Sequence, residues 1–262
     1  MKQVTQVAPL VLMTLAGLLL FALDQKAIGY FSLVASLACA RAVSPRMFRD
    51  VSLVAIGVFI VSLVPVTTDI GFEHMLQMGL AMAAAVTIPY VVSRYVYKDH
   101  VVRFPFGFKE PWGKSKWLYL ILVVVVGYFI MPFYMISTGM YQNWPAANDA
   151  SSVLRLFIGT NALGTWDELF FICIVFVVFS RYVGFWTANI LQAVLFTSFL
   201  YELGFEGFGP FMIYLFALTQ GYIFLKTHSV FYLLCVHLTF DFILFLVLLH
   251  AHNRELFPIF LY

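Results

Sequence analysis

Residues 117–136, WLYLILVVVVGYFIMPFYMI, run for 20 positions without a charged side chain. A helix rises about 1.5 Å per residue, so this stretch would be about 30 Å long, the thickness of a bilayer's hydrocarbon core. Its apolar residues do not alternate with polar ones, as the strands of a membrane barrel require. The stretch therefore reads as a membrane-spanning helix. Comparable apolar segments fall at 7–23, 27–40, 51–66, 75–97, 153–180, 186–201, 211–225 and 230–249. The 262-residue chain is 63% hydrophobic and only 11% charged, where a soluble domain carries about 25% charged residues. Disorder, nucleic-acid binding and a secreted disulfide scaffold are excluded by that balance. The expected fold is all-α: a polytopic transmembrane helical bundle of about eight to nine spans.

The net charge of +2 says little, but its distribution orients the chain. With nine spans and a cytoplasmic N-terminus, 12 of the 15 lysines and arginines fall on the cytoplasmic side, all but Lys26, Arg155 and Arg254. That is the side to which basic residues bias loops. The segments Arg41–Asp50 and Lys98–Lys116 read as cytoplasmic connections, the second holding Lys98, Arg103, Lys109, Lys114 and Lys116. The expected organisation is N-terminal transmembrane helices at 1–97, a basic cytoplasmic loop at 98–116 and C-terminal transmembrane helices at 117–262. Trp117, Tyr119, Tyr141, Trp144 and Trp186 lie near segment ends, where amphipathic rings favour the headgroup region. Cys39, Cys173 and Cys235 all sit in apolar runs and form no disulfide framework. No cleavable signal-peptide pattern or internal repeat is visible. An integral protein of a bacterial cytoplasmic membrane is expected.

In hydrocarbon an ionisable side chain costs about 2.5 kcal/mol or more, so those at membrane depth mark function. Asp167 and Glu168 lie inside 153–180, and His237 and Asp241 inside 230–249. His237 and Asp241 are four apart and share one helical face. Counted along the helices, the two acidic groups can share a depth. Thr165-Trp166-Asp167-Glu168 also has the spacing of a capping box, with Thr165 as N-cap, and Gly159 and Gly164 suit a backbone break before it. A helix beginning at mid-membrane is expected there. One carboxylate can act as general base on water, with the histidine and its neighbouring acid orienting the water or stabilising an oxyanion. The same groups could relay a proton in a transporter, although inverted repeats are absent. Glu202 and Glu206 read as loop residues, and Arg155 as a snorkelling or pairing residue. Nothing has metal-ligand spacing such as His-Glu-x-x-His, and neither a metal nor a cofactor is expected.

These residues resemble the CAAX-protease and bacteriocin-processing (CPBP) family of glutamic-type intramembrane endopeptidases. The likeness covers about 150–245 and rests on three motifs. Trp166-Asp167-Glu168-Leu169-Phe170-Phe171 stands where the family has Glu-Glu-x-x-x-Arg, and Phe196-Thr197-Ser198-Phe199-Leu200 where it has Phe-x-x-x-His. His237-Leu238-Thr239-Phe240-Asp241 matches the late His-x-x-x-Asn/Asp motif without alteration. The segment Phe211 to Ser229 looks like the family's penultimate helix and its short polar turn. Three positions depart: Asp167 replaces the first glutamate, Ile172 the arginine and Leu200 the second-motif histidine. Carried over, the resemblance implies Asp167 or Glu168 as base, with His237 and Asp241 as polarising partners. It further implies a membrane-associated protein or peptide substrate, cleaved as in CAAX, leader or C-terminal sorting-tag processing. The rival expectation, from Ile172 and Leu200, is a catalytically inactive relative acting as an immunity, scaffold or peptide-binding protein.

Overall fold

A computed structural model of the chain describes residues 2–107, 111–255 and 257–262; Lys109 of the basic loop lies outside them. Among the described residues there is no strand. The helices are α1 (Lys2–Gly17), α2 (Lys26–Val43), α3 (Pro45–Ser62), α4 (Phe72–Val91), α5 (Lys114–Ser137), α6 (Ala150–Asp167), α7 (Val177–Ser180), α8 (Phe185–Glu202), α9 (Gly209–Thr227) and α10 (Val230–His252). A π-helical stretch, Glu168–Phe176, joins α6 and α7 into one rod. The described residues thus form nine rods, one for each apolar run in the sequence. Six of the rods are long and apolar enough to cross a membrane on their own. The chain is an integral membrane helical bundle.

The other three rods are α3, α8 and α9. Their polarity has an identifiable source: α3 opens with Arg46, Arg49 and Asp50, while α8 and α9 bury the amides of Asn189, Gln192 and Gln220. α3 starts earlier than the apolar run at 51, so that Arg41–Asp50, expected as a connection, is helical except at Ser44. Ser44 accepts from the Met47 backbone N–H at 3.0 Å and Pro45 follows it, so the helix starts there and ends at Ser62. A side-chain cap and a proline at the first helical position pre-organise a helix start whatever the hydropathy.

The joined rod over 150–180 is the centre of the bundle. Of its 31 residues 16 are buried, against five of the 24 in α5, whose Leu118 and Ile121 project outward. From Phe170 to Phe176 every residue is buried. A helix apolar all round belongs inside a bundle, with partners on every side. α3, α4, α8, α9 and α10 all pack against its π-helical part. Exposed Phe31, Phe72 and Phe211 face outward on the peripheral helices, where lipid is their natural solvent.

Alternate connections gather at opposite ends of the bundle, as successive spans require. At one end Thr68 donates to the Asn143 carbonyl at 2.5 Å, and Asn143 Nδ2 donates to the Gly204 carbonyl at 3.0 Å. Arg155, expected to snorkel or pair, donates there to the Ile70 carbonyl at 2.8 Å. Glu202 and Glu206 are exposed there, as expected of loop residues. At the other end the Val230 and Phe231 N–H groups bond the carbonyls of Pro105 and Phe106.

Arg181, just beyond α7, holds fully buried Asp50 at 2.9 Å, and the Tyr182 hydroxyl donates to the same carboxylate oxygen at 2.5 Å. Burial, and then the hydrogen bond to Asp50, push the Tyr182 phenol above its ordinary range, so it remains a donor. This fastening ties α3 to the end of the central rod. Removing one partner of a buried ion pair strands the other. Arg181→Ala is therefore expected to cost about 3 kcal/mol in denaturant unfolding of the detergent-solubilised protein. An unchanged unfolding midpoint would contradict the fastening.

Candidate active site

The central rod carries the acids without interruption. α6 runs continuously through Thr165, whose hydroxyl donates back to the Asn161 carbonyl at 2.8 Å. The helix start expected at Thr165 is therefore absent. The physical reason is the medium: breaking a helix inside the bilayer would orphan backbone groups that no water can satisfy. The capping box lies at Asp149 instead, whose carboxylate accepts from the N–H groups of Ser151 at 2.8 Å and Ser152 at 3.0 Å. Those bonds, Ser152 first, hold the exposed Asp149 carboxyl below its usual range. Gly164 likewise marks no break. A Cβ there would collide with the Asp241 carboxylate and the His237 ring, so glycine is what lets α10 approach α6 closely.

That approach brings all four expected residues together. Facing a carboxylate oxygen, His237 Nδ1 is the donor, and it lies 2.6 Å from Glu168 Oε1. The other ring nitrogen, Nε2, is 3.9 Å from Asp167 Oδ2 and 3.8 Å from Asp241 Oδ1. Asp167, Glu168 and His237 are buried, and only 13% of the Asp241 side chain is exposed. The ring edge of Phe216 packs on the imidazole with centroids 4.9 Å apart. Three carboxyl groups thus surround one imidazole. One oxygen of each (Asp167 Oδ1, Glu168 Oε2, Asp241 Oδ2) is buried without a hydrogen-bond partner.

Two cavities meet at this cluster. The smaller, about 40 Å³, is lined by Gly164, Asp167, His237 and Asp241 together with Trp144, Leu203 and Phe205. The larger, about 370 Å³, is an apolar cleft between α5, α9 and α10 with His237 and Asp241 in its wall. Leu200 borders both. Trp144, expected near a segment end, is 5% exposed and lines the smaller cavity. Its indole packs edge-on against Phe205, and its backbone carbonyl accepts from His252 Nε2 at 3.1 Å.

One residue of the cluster escaped the sequence reading. Gln220 of α9 is buried, and its Nε2 donates to Glu168 Oε1 at 2.6 Å. A search for ionisable groups passes over a neutral amide; its isolation among apolar neighbours at 211–225 was the available signal. His228 and Glu202 are exposed near the helix ends. Ile172, at the arginine position, is buried in the apolar core. Among the described residues no group of three or more His, Cys, Asp or Glu side chains is arranged to hold a metal ion.

Residues 149–243 match the family model of type II CAAX prenyl endopeptidases, Rce1-like. The match covers the three motif positions and bears out the family resemblance. No curated protein and no solved structure matches the chain.

Gly164→Ala drives a methyl into the Asp241 carboxylate and against the His237 ring, so that these side chains or α10 itself must shift. The expected cost is about 1–3 kcal/mol, the range for overpacking a filled interior. Gly79→Ala on α4, where a Cβ meets open space, is the matched control and should unfold at or slightly above the wild-type midpoint. Equal behaviour of the two variants would contradict the packing assigned to Gly164.

Proposed function

We propose that this member of the CAAX-protease family, carrying its motifs within residues 149–243, hydrolyses a peptide bond in a membrane-associated substrate at the cluster around His237. The observation that supports this reading is the convergence of three carboxyls on one imidazole, with unpartnered oxygens and a small cavity beside them. In a bilayer such groups are retained for use.

The geometry divides the labour between the two adjacent acids. Glu168 is committed: it accepts from His237 Nδ1–H and so turns Nε2 toward Asp167 and Asp241. The gaps of 3.8 and 3.9 Å from Nε2 are too long for direct hydrogen bonds, and the cavity of about 40 Å³ beside them has room for the water that hydrolysis consumes. Asp167, at the position of the family's first glutamate, accepts a proton from that water as its oxygen attacks the substrate carbonyl carbon. The N–H at Nε2 then faces the developing oxyanion, and Asp241 stabilises the charged ring. As the tetrahedral intermediate collapses, the C–N bond breaks. The proton held by Asp167 passes to the departing amine, leaving a carboxylic acid and an amine as products.

The substrate reaches this centre through the apolar cleft. The smaller cavity, about 40 Å³, has no room for a peptide, whereas the larger one, about 370 Å³, is lined almost wholly by apolar side chains. A lipid-modified or strongly apolar peptide segment, as in CAAX-type, leader or sorting-tag processing, suits its walls. The partners are thus a membrane-associated protein or peptide and the bilayer itself. The expected location is a bacterial cytoplasmic membrane, with the N-terminus and the basic loops on the cytoplasmic side.

A second reading, a peptide-binding relative without turnover, is favoured by one observation: Leu200 puts an apolar side chain on the site wall where the family has histidine. A processing assay separates the two. Glu168→Gln and His237→Ala are each expected to abolish cleavage of a co-expressed CAAX-type substrate while leaving its binding intact. Cleavage at the wild-type rate in both variants would overturn the hydrolytic reading.

A further inference from the structure

We infer that Gln220 is a positioning residue, whose amide holds Glu168 against His237, and that Asn189 and Gln192 of α8 set α9 at the rotation that aims it. The inference deepens the hydrolytic reading and rests on it.

Gln220 is 1% exposed in an otherwise apolar stretch of α9. Burying an amide without a partner costs about 1–3 kcal/mol by protein mutational data, so such a group persists only where it is bonded or used. Its Nε2 donates at 2.6 Å to the same Glu168 oxygen that receives His237 Nδ1. Two donors on one oxygen pin the carboxylate in place and in rotation. The arrangement does not serve Gln220 itself, because its carbonyl oxygen Oε1 is left buried and without a partner. A native structure that leaves a buried acceptor unsatisfied at a cluster of acids needs a reason beyond packing. The reason here is the carboxylate it holds.

The aim of Gln220 depends on how α9 is turned, and α8 grips α9 just before it. Asn189 Nδ2 donates to the Leu218 carbonyl at 2.9 Å. Gln192 Nε2 donates to the Ala217 carbonyl at 3.0 Å and to Asn189 Oδ1 at 2.9 Å. These bonds use the second lone pairs of helical carbonyls two and three residues before Gln220. Gly221 follows immediately, and a Cβ there would strike the Asn189 side chain, so α8 and α9 close up at this level. Roll and height of α9 are thereby fixed one turn from the amide that matters. The family's arginine position is Ile172, which brings no donor to the acids. Gln220 supplies a donor to Glu168 from a different helix and without charge.

The test uses the full chain in nanodiscs with a lipid-bearing CAAX-type peptide, and the variants Gln220→Met, Gln220→Glu and Asn189→Ala. Gln220→Met keeps the volume and removes the donor. It is expected to lower kcat roughly 10- to 100-fold, the worth of a hydrogen bond to a charged group, with KM within about 2-fold. In the same variant the 15N resonance of His237 Nδ1 should move. Gln220→Glu can donate only when protonated, so its activity should return as pH is lowered. It also serves as the test if the methionine variant does not fold. Asn189→Ala should fall between wild type and Gln220→Met. Wild-type kcat, pH profile and His237 resonance in Gln220→Met would overturn the inference while His237→Ala remains inactive. If His237→Ala cleaves normally, the hydrolytic reading is what has failed. The His237 resonance then decides alone, and an unmoved signal in Gln220→Met rejects the positioning role.

Discussion

Three carboxyl groups around one imidazole, enclosed by hydrocarbon, are the constraint on which the structure turns. His237 lies within 4.0 Å of Asp167, Glu168 and Asp241, all of them largely or fully buried. An apolar replacement of such a cluster would usually be neutral or stabilising. Its persistence at membrane depth therefore points away from stability and toward use. The surrounding architecture serves to make the cluster tolerable. The π-helical part of the central rod, fully buried over Phe170–Phe176, continues the helix from Asp167 through Glu168 without a break. π-Helical turns recur at functional sites, and this one begins at Glu168 itself. Gly164 allows α10 to come close enough for His237 to meet the acids. The fastening of Arg181 and Tyr182 on Asp50 then holds the far end of the rod to α3.

The adjacent acids are chemically alike but differently employed. Glu168 holds the histidine in orientation and is itself held by Gln220, whereas Asp167 keeps an oxygen free beside a cavity of about 40 Å³. On the proposed hydrolytic reading, that division keeps an ordered centre although Ile172 and Leu200 stand where the family it resembles has arginine and histidine. Ile172 and Leu200 remove two polar groups, while an amide from α9 takes over part of the orienting work. The large cleft of about 370 Å³ places an apolar binding wall directly against His237 and Asp241.

Much of the fold was legible because a bilayer writes its demands into composition. Among the described residues each apolar run in the sequence became one rod. Errors arose where local chemistry competes with hydropathy. Ser44-Pro45 starts α3 six residues before the apolar run does. Thr165 and Glu168 have capping-box spacing, but that spacing costs nothing inside an unbroken helix, and hydrocarbon forbids the break. The convergence of Asp167, Glu168, His237 and Asp241 could be read from depth and from the i, i+4 face. Gly164 and Gln220 could not be read that way. One acts by the absence of a side chain and the other as a neutral amide, so neither registers in a count of buried charges.

The central claim is that the cluster is kept for turnover at a cost in stability. Melting temperature and peptide cleavage, measured on the same nanodisc preparation of Asp167→Asn, test it most directly. The three acids outnumber their one basic partner, and Asp167 Oδ1 has no donor. Removing that charge should therefore raise the melting temperature while cleavage falls to background. A lowered melting temperature with cleavage retained would mean that Asp167 is a structural partner of His237, and would contradict the claim.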